Sequence, residues 1–159
     1  MIKFSCYLMH NGSNMDQLNR RILQCLQTNA RYTHAEIGRI VGISSPAVNE
    51  RIKKMEDAGI IKGYRTDVSS YECGYQLRAL ITVRAFMGKL KPFLEQIKSY
   101  PEVVNCYRIT GNENIVMEVV LINQKHLEGF IDNLIVYGET KTQIILSKVV
   151  DHHPIIPQS

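Results

Sequence analysis

The sequence predicts an α+β chain in two parts: a three-helix winged helix-turn-helix domain followed by a ferredoxin-like βαββαβ domain. Three observations carry this. From Met15 to Gly59 apolar residues recur every three or four positions, between polar helix-start residues and glycine stops. From Leu77 the period changes to the alternation of a half-buried strand. The charge is also lopsided: residues 15–65 hold nine Lys/Arg against five Asp/Glu, whereas residues 66–159 hold nine against ten. A basic balance confined to one part of the chain points to a polyanionic partner for that part.

The 159 residues suffice for two small domains. A composition of 45% hydrophobic and 21% charged residues excludes a disordered or collagen-like chain. The densest apolar run, Ile115–Ile122, is broken by Glu118 and is far shorter than the roughly 18 residues of a membrane span. Met1–Met9 has no long apolar core or small-residue cleavage site, so residues 1–14 read as an N-terminal extension rather than a secretion signal. Cys6, Cys25, Cys73 and Cys106 are scattered without a C-x-x-C pair, which predicts reduced thiols and a cytoplasmic chain.

Residues 15–65 form the first domain. Asp16 suits an N-cap, and Leu18, Ile22, Cys25 and Leu26 follow at helical spacing as far as about Thr28. Thr33-His-Ala-Glu36 is a capping box opening a second helix with Ala35, Ile37, Ile40 and Val41 inward. Gly42 suits a left-handed stop, and Ser44 restarts the chain with Pro46 in the first turn. The third helix runs to about Ala58, burying Val48, Ile52 and Met55 and turning Ser45, Asn49, Glu50, Lys53 and Lys54 outward. Two short helices across a Gly-Ile-Ser turn, after a supporting helix, are a helix-turn-helix. Gly59–Tyr64 then turns into an extended segment, and residues 66–75 are the linker.

Residues 76–151 form the second domain. Leu77–Ala85 is a strand, Gly88–Tyr100 a helix, Val103–Thr110 and Ile115–Ile122 strands around the Gly111–Asn114 turn. Asn123 caps a helix ending at Gly138, and Thr140–Val150 is the last strand. Helices cover one sheet face; Leu80, Cys106, Val120 and Ile145 are expected on the other, which calls for a partner subunit. Residues 152–159 read as a tail in which adjacent His152 and His153 point apart, so no metal site is expected.

These stretches resemble the leucine-responsive regulatory protein/AsnC family of bacterial and archaeal transcription regulators. Arg31-Tyr-Thr-His-Ala-Glu-Ile-Gly-Arg-Ile-Val-Gly-Ile-Ser44 and Val48-Asn-Glu-Arg-Ile-Lys-Lys-Met-Glu56 look like its DNA-binding signature. Gly59-Ile-Ile-Lys-Gly-Tyr64, Cys106-Tyr-Arg-Ile-Thr-Gly111 and Thr140-x-Thr142-x-x-Ile-Leu146 match further on. The resemblance implies a second domain of ACT-like (RAM) type, dimers assembling to tetramers or octamers on double-stranded DNA near the nucleoid, and an amino-acid effector held between the second domains. Asn114 stands where the family commonly has an aspartate, and the entry to the last strand, Tyr137-Gly-Glu-Thr140, is shorter than usual. Both features look closer to an LrpC-like branch, whose members resemble DNA-wrapping proteins as much as amino-acid sensors.

The expected DNA contacts are Arg31, Thr33, Ser44, Ser45, Pro46, Asn49, Glu50, Arg51, Lys53 and Lys54. Asn49 suits adenine and Glu50 cytosine N4, although Glu50 reads better as a solvated helix residue; Arg51 suits a phosphate. The expected effector contacts are Gly111, Asn112, Asn114, Thr140 and Thr142, since glycine admits a ligand carboxylate to backbone amides. The same Gly-Asn-Glu-Asn is equally a plain hairpin turn. Siroheme decarboxylases resemble this architecture too, but no histidine lies near Tyr107-Arg108 between His34 and His126, so no catalytic residue and no cofactor are expected.

Overall fold

Each helix of the N-terminal part begins where a side-chain oxygen takes up a free amide. The computed structural model describes residues 15–155 and 157; the expected extension 1–14 and Cys6 lie outside the described residues. Helix α1, Gln17–Thr28, starts on Asp16, whose Oδ1 accepts from the Asn19 amide at 2.7 Å. Helix α2, His34–Val41, starts on the full capping box: Thr33 Oγ1 accepts from the Glu36 amide at 3.2 Å, and Glu36 Oε2 accepts from the Thr33 amide at 2.7 Å. Helix α3, Ser45–Asp57, starts on Ser44 Oγ, which accepts from the Ala47 amide at 3.4 Å.

The turn between α2 and α3 needs two glycines for different reasons. Gly42 adopts a φ of 82°, in the left-handed region. Gly38 is helical, but a Cβ there would lie 2.5 Å from the Ile43 carbonyl oxygen, so the turn folds back onto bare backbone. The three helices enclose Ile22, Leu23, Ile37, Val41, Val48, Ile52 and Met55. Ala35 and Ile40 do not join them, and Ile40 is 47% exposed. A two-turn helix offers one narrow inward stripe, which Ile37 and Val41 fill. Gly59–Tyr64, expected to be extended, has no paired strand among the described residues.

The second part holds β1 (Leu77–Ala85), α4 (Leu90–Gln96), β2 (Val103–Arg108), β3 (Ile115–Leu121), α5 (Gln124–Leu134) and β4 (Gly138–Ile144). The strands form one antiparallel sheet in the order β2-β3-β1-β4, the ferredoxin-like arrangement. Ala79, Ile81, Val83, Ile115, Met117, Val119 and Leu121 share one core with Phe93, Ile97, Phe130 and Leu134 from the helical segments. The helix expected over Gly88–Tyr100 is α4 followed by a tighter turn, Ile97–Ser99, because Pro101 bars the helical conformation at Tyr100. Gly138 does not stop α5 but opens β4: a Cβ there would lie 2.4 Å from the Arg84 carbonyl oxygen of β1. Helix α5 ends at Leu134, and β4 runs to Ile144 rather than Val150.

The bare sheet face differs from expectation in one residue and in character. Cys106 pairs with Met117 and packs against the helix-covered core, because a register shift between Val103 and Asn105 reverses the facing of every later residue on β2. Ile145 lies just past β4, its amide donating to the Arg78 carbonyl at 2.9 Å. Leu80, Val116, Val120 and Tyr107 do occupy the bare face, by their register with one another and with Glu118. Through their middle runs a polar group: Glu118 accepts from the Arg78 guanidinium and, at 3.1 Å, from Asn105 Nδ2. The face is mixed, not uniformly apolar.

The chain divides into two compact units: the described residues up to Thr66 with the chain end from Val150, and Asp67–Val149. In the first, the Gln27 side chain holds Ile155 as a strand partner would. Its Nε2 donates to the Ile155 carbonyl at 3.1 Å and its Oε1 accepts from the Ile155 amide at 2.8 Å. Among the described residues no helix is long and apolar enough to cross a membrane.

Candidate nucleic-acid interface

Helix α3 is a ridge between two hollows. On one flank a hollow of about 460 Å³ is lined by Asp16, Asn19, Ala47, Glu50, Arg51 and Lys54. On the other, a hollow of about 260 Å³ includes Tyr32, His34, Asn49, Glu56 and Tyr64 in its lining. Pro46, Asn49, Glu50, Lys53 and Lys54 are exposed along the ridge, and Ser45 is half-buried at its start. Because the buried stripe Val48, Ile52, Met55 lies on the opposite side, these polar side chains are the outward surface of the helix.

The charges on this ridge are partly neutralised from within. Lys54 Nζ donates to Glu50 Oε1 at 2.6 Å, one helical turn away, and this hydrogen bond with the lysine charge holds Glu50 below the usual carboxylate range. Arg51, expected at a phosphate, donates instead to Asp16 and Asn19 at the start of α1. Lys53 remains exposed between them. Arg31, Thr33 and Ser44 are exposed at the turns that start α2 and α3. Arg31 is placed by its own amide, which donates to Asn29 Oδ1 at 3.0 Å.

Two features were not visible in residue types or spacing. One is the Asp16–Asn19–Arg51 group, which joins residues more than thirty positions apart. The other is Tyr64, whose hydroxyl donates to Glu56 Oε1 at 3.0 Å across the second hollow. Burial, then the Glu56 carboxylate, pushes the Tyr64 pKa up to about 12. The chain leaving α3 is thereby fastened back onto it.

The five expected effector contacts do not converge within one chain. Gly111 has a φ of 117°, and Gly111 and Asn112 are exposed. Asn114 is engaged in the sheet: its Oδ1 accepts from the Ala85 amide at 2.8 Å and its amide donates to the Val83 carbonyl at 2.9 Å. Thr140 and Thr142 stand opposite Val83 and Ile81 on the other side of β1. Strand β1 therefore runs between the two halves of the expected site. Glu113 and Lys141 do span it, at 2.8 Å. His126, the nearest histidine after Tyr107-Arg108, accepts from the Ile122 amide at Nδ1 and faces Glu102 at 3.0 Å through Nε2.

Comparison with known proteins agrees with this architecture. A winged helix-turn-helix DNA-binding family model matches residues 15–62, and an Lrp/AsnC ligand binding domain model matches residues 78–155. The uncharacterised HTH-type transcriptional regulator YezC of Bacillus subtilis is 35% identical over 138 residues, covering 87% of this chain and 98% of that protein. The solved structure of Bacillus subtilis LrpC superposes with a TM-score of 0.81 at 27% identity, covering 85% of this chain and 96% of LrpC. The NMB0573/L-Met complex of Neisseria meningitidis, a transcriptional regulator, shares the fold with a TM-score of 0.83 at 23% identity, over 88% and 95% of the two chains.

Proposed function

Because the chain belongs to the leucine-responsive regulatory protein/AsnC family of DNA-binding transcription regulators, we propose that it acts by seating the α3 ridge in the DNA major groove. Asn49 reads base edges from the flank of the ridge, its carboxamide matching the donor–acceptor pair of adenine. Lys53 and Arg31 hold phosphates, aided by Thr33, Ser44, Ser45 and the backbone amides at the starts of α2 and α3. Glu50 and Lys54 pair with each other and act as a spacer on the groove floor, while Pro46 sets the start of the ridge.

The bare sheet face supports dimers, and through them tetramers or octamers on cytoplasmic, nucleoid-associated DNA. In such an assembly Gly111 and Asn112 of one copy approach the Thr140–Thr142 region of another and take an amino-acid effector. The proposed role is regulatory and not catalytic. The observation that carries the reading is the exposed polar ridge of α3 in the part of the chain whose net charge is +4 over residues 15–65.

The test is a salt titration of duplex binding. With about six phosphates contacted per dimer, log K falls against log salt with a slope of about −5. A flat titration, or no binding at low salt, rejects the reading. One observation favours effector-independent DNA wrapping as a second reading: Asn114, where the family places a charge, has its carboxamide oxygen on the Ala85 amide. Calorimetry with the twenty amino acids separates the two readings, since the wrapper binds none of them.

A further inference from the structure

Arg51 stands on the flank of α3 nearest the start of α1, outside both the buried stripe and the exposed ridge. Its Nη1 donates to Asp16 Oδ2 and, at 3.0 Å, to Asn19 Oδ1. The side chain is 31% exposed, against 72% for Lys54 three residues on. Asp16 divides its two oxygens between two tasks. Oδ1 caps α1 through the Asn19 amide, and Oδ2 takes the guanidinium. The Asn19 amide first, and Arg51 second, hold its carboxyl below the ordinary carboxylate range, so it stays charged at neutral pH.

We propose that Asp16 and Asn19 are positioning residues for DNA recognition: by pinning Arg51 they set the roll of α3 about its axis, and Arg51 acts through that strut rather than by binding a phosphate. The proposal rests on the DNA-binding reading and deepens it. A single stripe of three buried residues, Val48, Ile52 and Met55, holds a helix against its neighbours but resists rotation about the stripe weakly. A bridge fixed off to one side converts that hinge into a defined angle. The angle matters because Asn49 reads a base edge only when aimed at it. Nor is the exchange of Asp16 for a phosphate favourable. Nη1 would trade one charge-assisted hydrogen bond for another of the same kind, leaving the bare Asp16 carboxylate close to the DNA polyanion. A phosphate met by the remaining guanidinium donors is what the salt slope of Arg51→Gln detects.

The test uses the full chain and one duplex obtained by selection from a random pool, with Kd measured at several salt concentrations. Asp16→Asn keeps the cap, since asparagine caps as well as aspartate, and removes the ion pair. Arg51→Gln removes it from the other side. The strut predicts that each single substitution weakens binding about fivefold, and that the double variant is no weaker than the worse single, as for one shared interaction. It also predicts that the salt slope of Arg51→Gln equals that of the parent. A phosphate ligand gives the opposite pattern. Arg51→Gln then loses about 0.9 of slope, while Asp16→Asn, which frees Arg51 and removes a negative charge, tightens binding; either result overturns the proposal. Should Asp16→Asn lower the folded fraction, the slope of Arg51→Gln decides alone. Failure of the parent to bind any duplex is a separate outcome, and removes the DNA-binding reading together with this one.

Discussion

The two units close their open hydrogen bonds by different means. In the helical unit, every helix start among the described residues is completed by a side chain a few residues away: Asp16, Thr33 with Glu36, and Ser44. In the sheet unit α5 is capped locally by Asn123, but the strands close on one another, β1 with partners about 30 to 65 residues away. One face is left with apolar side chains around the Arg78–Glu118–Asn105 group. The helical unit is thus finished as one copy and presents polar side chains to a foreign molecule. The sheet unit keeps one mixed face bare, the face proposed above to meet a second copy. Under the proposed function, recognition and assembly are divided between them along this physical line.

Three substitutions break or sharpen that contrast. The largest effect belongs to the long-range core: Phe93 is fully buried and its ring centroid lies 5.1 Å from that of Tyr137. Phe93→Ala costs about 3–5 kcal/mol by urea unfolding. A cost no greater than that of losing a helix cap would mean that the sheet unit is not held by its core.

The second is acid sensitivity on the bare face. Burial raises the Glu118 pKa, but the hydrogen bonds from Arg78 and Asn105 and the Arg78 charge outweigh it and hold the carboxyl below its ordinary range. A group depressed on folding stabilises the protein above its unfolded pKa, and that contribution is lost as pH falls through the folded value. Stability therefore drops below about pH 4.3, and Glu118→Gln flattens that part of the pH profile. An unchanged profile in the variant would show that the central polar group contributes nothing. The smallest effect is local: Thr33→Ala removes one half of the capping box and costs about 1 kcal/mol, read as a shift in the urea midpoint with unchanged slope. A loss several times larger would mean that this end of α2 is held by more than its cap.

The same division explains what could be read from the sequence. Caps act over three residues, so the starts of α1, α2, α3 and α5 were legible to the residue. Sheet facing was legible only where alternation was unbroken. The irregularity between Val103 and Asn105 moved Cys106 to the covered face, and no residue type announces it. Gly138 read as a helix stop because its true reason, contact with the Arg84 backbone, lies more than fifty residues away. At the candidate interface the outward residues of α3 followed from helical period alone. That Arg51 belongs to Asp16 did not, because charge pairing between distant helices leaves no spacing to count. Asn114 likewise reads as a turn residue until its Ala85 partner is seen.

The grip of Gln27 on Ile155 makes the sheet unit an insertion: its polypeptide leaves the helical unit at one end and comes home to it at the other. Cargo fused beyond Ile155 would therefore ride on the DNA-reading half of the molecule and not on the half proposed to assemble. A fluorophore or affinity handle at that terminus could report on, or obstruct, docking to a duplex while leaving subunit association untouched. A protease nick between Thr66 and Tyr75 would cut the one covalent path from the helices to the sheet unit and leave residues 150–155 attached to the sheet fragment. The Gln27–Ile155 hydrogen bonds, worth about 1 kcal/mol each, would not hold the two fragments together, so nicking releases the DNA-reading helices from the sheet unit.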